Sequence, residues 1–102
     1  MASLMEIFIR RVSVEGSSMV PTYLPGERLT AVRRWRKVRV GDVVVVHDPA
    51  NHERFLLKRC VAILGSQLDL RGDNADFSTD SRSFGLVPSC DVSWLIVGSR
   101  HK

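Results

Sequence analysis

No apolar run in this sequence exceeds the five residues from Cys60 to Leu64, whereas a bilayer-spanning helix needs about 20 mostly apolar residues, so no segment reads as a membrane span. Cysteine is scarce. Cys60 and Cys90 lie 30 positions apart, with no Cys-x-x-Cys pair and no histidine at metal spacing, which argues against a disulfide scaffold or a zinc site and predicts two buried thiols in a reduced compartment. A signal peptide is not indicated, because Arg10 and Arg11 follow the apolar residues of the N-terminus and no small-residue cleavage site comes after an apolar core. Acidic residues are outnumbered, 11 against 15 basic ones, for a net charge of +4 with neutral histidines. That balance permits attraction to nucleic acid, anionic lipid or an acidic substrate and selects none of them. Apolar residues are not lacking: at 44% of 102 residues they suffice for one folded domain spanning 1–102 and leave nothing over for a second core.

Turn-forming pairs punctuate the chain at Pro25-Gly26, Gly41-Asp42, Asp48-Pro49, Gly65-Ser66, Gly72-Asp73-Asn74 and Pro88, leaving little room for long helices. Between them lie β-branched or apolar runs at Ile7–Val14, Leu29–Val32, Val43–Val46, Phe55–Leu64 and Trp94–Val97, which read as five or six strands. The expected fold is mostly β, a small antiparallel sheet that is rolled or partly closed, barrel-like, to limit its exposed edges. The phase change at Arg10-Arg11 predicts a bulge in the first strand or a gap between two.

Within Phe55–Leu64, alternation puts Leu56, Lys58, Cys60 and Ala62 on one face. A lysine among apolar neighbours in mid-strand is uncommon, since lysine is rarely buried unless paired or functional. Desolvation there would lower its pKa from about 10.4 towards neutrality, turning it into a base able to activate a serine hydroxyl. The run Gly16-Ser17-Ser18-Met19-Val20-Pro21-Thr22 offers such a hydroxyl. Gly72-Asp73-Asn74 and Ser78-Thr79-Asp80-Ser81-Arg82, with Phe84-Gly85 following, complete a constellation that also contains Gly41-Asp42-Val43-Val44 and Lys58-Arg59.

In that order these motifs resemble the type I signal peptidases, serine peptidases with a Ser–Lys dyad, over the stretch from about Val14 to Gly98. The resemblance implies a signal peptidase-type, LexA-like catalytic core and assigns Ser18 as nucleophile, Lys58 as general base and Ser78 as a hydroxyl orienting the lysine amine. It implies an oxyanion donor in the Ser18 backbone N–H. Gly16 stands where some members carry a serine hydroxyl, so it serves substrate approach or an unusual φ instead. Asp80 and Arg82 would form an ion pair holding the 72–85 loop against the lysine strand, and Met19 and Pro21 would line a substrate groove. No metal or cofactor is implied. Only twelve residues, Cys60–Arg71, separate Lys58-Arg59 from Gly72, where typical members carry an inserted domain and, ahead of the core, a membrane anchor. The chain is most similar in these respects to the short nickel-type superoxide dismutase maturation proteases, which implies a cytoplasmic endopeptidase removing the leader of a precursor protein.

Other readings stay open. One is a membrane-peripheral signal peptidase core acting on exported proteins. Another is a non-catalytic module that binds peptide or nucleic acid through Arg33–Arg39, where five cations in seven residues surround Trp35. The favoured reading of that run is a solvated hairpin loop, which makes nucleic acid an unexpected partner. Trp94 fits groove or core. His47, His52 and His101 have no spacing that supports a Ser-His-Asp triad.

Overall fold

The computed structural model describes residues 8–100, which form one antiparallel sheet of seven strands. These are β1 (Ile9–Ser13), β2 (Arg28–Arg33), β3 (Val43–Asp48), β4 (Asn51–Leu64), β5 (Gln67–Arg71), β6 (Val87–Pro88) and β7 (Trp94–Arg100). A single helical turn, α1 (Ser81–Phe84), precedes β6. The strand order is β1-β2-β7-β3-β4-β5-β6, and the sheet does not close, leaving β1 and β6 at its edges. Pro88, which has no N–H to give to a ladder, sits on the edge strand β6, where that loss costs least.

Both faces of the sheet are covered at its centre, and for that reason β3 begins with four consecutive valines, Val43–Val46, all buried. Cross-strand partners share a face. The pairings Val44↔Leu95, Val44↔Lys58 and Val46↔Leu56 therefore set Lys58 on the same side as the main core. That core gathers Val44, Val46, Cys60, Leu68, Leu70 and Leu95, with Val38, Val87 and Val92 from the connections and Leu56 and Phe84 packed against it. Outside that cluster Leu29, Ala31, Val45, Met19 and Val14 are also buried.

The register of β4 shifts between Cys60 and Ala62. Its first part, Asn51–Arg59, pairs with β3, and its second, Arg59–Leu64, with β5. Lys58 and Cys60 are thus buried in alternation, and beyond the register shift at Val61 the strand carries no buried side chain.

The sequence expectations need four corrections. Strands β5 and β6 are additional to the five runs. In β1, Ile9 to Ser13 pair without interruption against Val32 to Arg28, so the Arg10-Arg11 phase change is no bulge; the irregularity lies between Thr30 and Ala31 on the β7 side of β2. Ile7, where that strand was expected to start, lies outside the described residues. The basic run is not a hairpin loop, because β7 lies between β2 and β3. Arg34 there donates to the Ser89 carbonyl at 2.5 Å, and Arg36 makes a two-pronged pair with Asp42 at 2.8 and 3.0 Å. Finally, Cys60 is buried as expected but Cys90 is exposed.

Candidate active site

The bulged strand β4 carries Lys58 into the sheet interior, where its residue is only 3% exposed. Burial lowers its pKa; Asp80 pulls the other way, Arg82 adds to the lowering and Asp48 opposes it. The amine donates a hydrogen bond to Ser78 Oγ at 2.9 Å. Ser78 in turn donates to Asp80 Oδ2 at 2.7 Å, so its lone pairs face the lysine and the Gly72 N–H, which approaches at 3.2 Å.

Asp80 is wholly buried. It accepts from the Gly72 N–H at 2.9 Å, from Arg82 N–H at 3.1 Å, and from the Arg82 guanidinium at 3.0 and 2.6 Å. Burial alone would raise its pKa, but the bonds from Arg82, Ser78 and Gly72 outweigh burial and hold the carboxyl well below the usual carboxylate range. As the residue before α1, Asp80 also caps that turn through Arg82 N–H. One carboxylate thereby joins the turn after β5, the hydroxyl beside Lys58 and the start of α1.

Ser18 lies on the loop leaving β1, in a run of turns rather than a helix: Val20 N–H donates to the Ser17 carbonyl at 3.2 Å and Tyr23 N–H to that of Met19 at 3.0 Å. The Gly72-Asp73-Asn74 segment grips this loop at three points. Gly72 packs so closely that a Cβ there would sit 2.6 Å from the Ser18 carbonyl oxygen and 2.6 Å from Ser78 Cβ. Asp73 accepts from Thr22 Oγ1 at 2.5 Å and takes a two-pronged pair from Arg59 at 2.9 and 3.0 Å. Asn74 donates from its backbone to the Ser18 carbonyl at 2.8 Å and from its side chain to the Ser17 carbonyl at 3.0 Å. In sequence the triplet is indistinguishable from an ordinary tight turn. Its clasp on the Ser18 loop, and the role of Thr22 and Arg59 in it, appear only in three dimensions.

Ser18 and Lys58 line one open cleft of about 780 Å³. Its walls are the end of β1 with the following loop, Val12–Met19, and the first part of β4, Glu53–Lys58, with Phe77, Thr79, Ser83 and Phe84 across one end. Both walls are strand edges without a ladder partner on the cleft side among the described residues: β1 pairs with β2, and β4 meets β5 only from Arg59 onward. Gly16, on the β1 side, has φ +74° and nothing within 4 Å of the place its Cβ would occupy. The backbone conformation, not crowding by the protein, is what calls for glycine there. Met19 is buried and lines the cleft, whereas Pro21 is exposed and does not line it.

The remaining candidates lie elsewhere. Trp94 is half-buried beneath the guanidinium groups of Arg10 and Arg33, at 5.5 and 5.3 Å. The His47 and His52 rings stack 5.9 Å apart beside a separate cleft that includes Cys90 and Asp91; His101 lies outside the described residues.

Residues 1–72 match the family model described as signal peptidase, peptidase S26. The chain belongs to that family. Among curated relatives, the Arabidopsis thaliana mitochondrial ATP-independent inner membrane protease subunit 1a is 33% identical over 106 residues, covering 78% of this chain and 63% of that one. Mouse mitochondrial inner membrane protease subunit 2 is 30% identical over 109 residues, with 78% and 62% covered. Signal peptidase I U of Bacillus subtilis is 31% identical over 70 residues, with 66% and 37% covered. The chain thus spans about three-fifths of the mitochondrial relatives and less of the bacterial one. Among the described residues no helix is long and apolar enough to cross a membrane.

Proposed function

We propose that this S26-family chain is a serine endopeptidase that removes an N-terminal leader from a precursor protein, with Ser18 as nucleophile and Lys58 as general base. The observation that carries the reading is the state of Lys58: a buried amine with a lowered pKa, held by one neutral hydroxyl, on the same cleft as Ser18. Neutral lysine has a lone pair with which to take the Ser18 proton. Ser18 Oγ then attacks the scissile carbonyl carbon, and the resulting oxyanion meets the Ser18 N–H. Collapse expels the new N-terminal amine, which takes its proton from the Lys58 ammonium. Water, deprotonated by the same lysine, hydrolyses the ester and restores Ser18.

Ser78 fixes the amine in place, and Asp80 with Arg82 fixes Ser78. The precursor would lie extended between β1 and the first part of β4, adding main-chain hydrogen bonds to edges that the fold leaves unpaired. Small residues next to the scissile bond follow from the family resemblance. The leader of a nickel superoxide dismutase proenzyme is one precursor of this kind. The relatives' names, which place those proteins at an inner membrane, favour a second reading in which the same core works at a membrane surface on exported or sorted precursors. The nucleic-acid alternative is weaker, since Arg34 and Arg36 spend their guanidinium groups on Ser89 and Asp42.

The test is incubation of the purified chain with nickel superoxide dismutase proenzyme, and separately with a membrane-inserted precursor in vesicles, followed by mass spectrometry of the new N-terminus. Ser18→Ala and Lys58→Met should each abolish cleavage while melting within a few degrees of wild type, since each removes one of two groups that act as a unit. Undiminished cleavage by pure Lys58→Met rejects the dyad.

A further inference from the structure

The side chain of Asn74 has no part in the scheme above, yet it bonds to the peptide that would supply the oxyanion donor. Its Nδ2 donates to the Ser17 carbonyl at 3.0 Å, and the only atoms between that carbonyl and the Ser18 N–H belong to one planar peptide group. In a trans peptide the C=O of one residue and the N–H of the next point in opposite directions. Holding the Ser17 oxygen therefore aims the Ser18 N–H away from Asn74. Val20 N–H, the other donor to that oxygen, binds at 3.2 Å, a longer contact from within the same turn. The Asn74 backbone N–H separately fixes the Ser18 carbonyl at 2.8 Å, and that bond survives any ordinary substitution at the position. The two halves of the clasp can thus be separated: the main chain holds the peptide after Ser18, and the side-chain amide holds the peptide before it.

We infer that Asn74 is the positioning residue of the oxyanion site, its side-chain amide setting the direction of the Ser18 N–H through the Ser17 carbonyl. The inference rests on Ser18 being the nucleophile, and its test tells failure of the one from failure of the other. It also explains why asparagine suits this turn position better than the other common turn residues. Glycine has no side chain to reach the carbonyl, and an ionised aspartate has no N–H to donate.

A fluorophosphonate probe reads the oxyanion site without knowledge of the natural precursor. A bond forms between Ser18 Oγ and phosphorus, fluoride leaves, and the hydroxyl proton passes to Lys58, while negative charge grows on the phosphoryl oxygen where the oxyanion would sit. Rates followed by intact mass should fall about 10- to 100-fold in Asn74→Leu, which keeps the side chain's branching and loses its donor, and in Asn74→Ala, short of or equal to the loss of an oxyanion donor outright. The pH at which the rate rises should not move, because the hydrogen bond between Lys58 and Ser78 is untouched.

A second pair, Ser18→Cys and Ser18→Cys with Asn74→Leu, is alkylated by iodoacetamide, a displacement in which no oxyanion forms. Those two rates should agree within threefold. Phosphonylation of Asn74→Leu within threefold of wild type overturns the inference, and so does a fall of equal size in both chemistries, which marks a merely structural asparagine. Labelling of wild type no faster than of Ser18→Ala removes Ser18 as nucleophile, and this inference with it.

Discussion

Replacing Asp80 by asparagine keeps the shape of the site and removes its charge. Oδ2 accepts from the Gly72 N–H, the Ser78 hydroxyl and Arg82 Nη2, while Oδ1 accepts from Arg82 N–H and Nε. An asparagine whose oxygen stays at the Oδ1 position turns an NH2 towards Gly72 N–H and Arg82 Nη2, donor against donor. The hydroxyl can rotate to accept, but the Gly72 N–H is buried, cannot reach water and keeps only its longer contact to Ser78 Oγ at 3.2 Å. Reducing a buried N–H to that one long bond and setting it against a donor costs about 1–3 kcal/mol, and losing a charged acceptor for Ser78 adds about 1 kcal/mol, so the expected cost is about 3 kcal/mol, with nothing counted for the solvent-facing Arg82. In a domain of this size about 1 kcal/mol corresponds to 4–8 °C in Tm, which predicts a fall of about 12–24 °C at pH 7.

The pH dependence of that gap isolates the carboxylate. Asp80 has a folded pKa below its unfolded value of about 3.9. Its stabilising contribution is therefore complete above the unfolded pKa and is lost as pH falls towards the folded one. Thermal denaturation followed by circular dichroism should show a constant gap between wild type and Asp80→Asn from pH 7 to pH 5 that narrows below about pH 4. A gap under 4 °C at pH 7, or one that is no smaller at pH 2.5, refutes the account. Asp80 also favours the charged form of Lys58, so wherever Asp80→Asn retains cleavage, the rise of rate with pH should begin at lower pH than in wild type.

Cleavage by wild type should increase with pH through the lowered pKa of Lys58, because only the unprotonated amine accepts the Ser18 proton; a rate independent of pH between 5 and 10 contradicts that role. Ser78→Ala should slow cleavage about 10- to 100-fold, less than loss of Lys58, since it removes the amine's anchor and leaves the base; kcat equal to wild type would discard the orienting role. Gly72→Ala should cost both activity and at least about 2 kcal/mol of stability, read from a denaturant midpoint, because the new methyl group meets the Ser18 carbonyl and Ser78 Cβ at 2.6 Å; wild-type kinetics in that variant would contradict the close approach. Binding of wild type to duplex DNA should be weak, and Ala at Arg33, Arg34 and Arg36 should leave cleavage unchanged; tight salt-dependent binding lost in that triple variant would revive the nucleic-acid reading.

Much of the sheet is legible in the sequence because the burial of a strand leaves a local mark. Val43–Val46 reads as a strand, and Lys58 is conspicuous as the one cation on the face it shares with Leu56 and Cys60. Strand β5 is hidden by its charges: Asp69 and Arg71 alternate with Leu68 and Leu70 and bond to each other at 3.1 Å, so the run resembles a charged loop. Strand β6 has two residues and no pattern to detect. Arg33–Arg39 has the composition of a binding surface, and its tie to Asp42 and Ser89 depends on β7 coming between β2 and β3.

The sequence by itself determined which chemical groups are present, their order along the chain, and that a lysine would be carried on an apolar strand face, because alternation and turn chemistry act between near neighbours. Tertiary structure alone decided that Asp80 reaches Lys58 through Ser78, that Pro21 stays out of the cleft, and that Asn74 holds the peptide on either side of Ser18. Those relations join residues up to 57 positions apart. Hydrogen bonds and close contacts at that separation follow from strand order and loop path, and no local pattern of residue types encodes them.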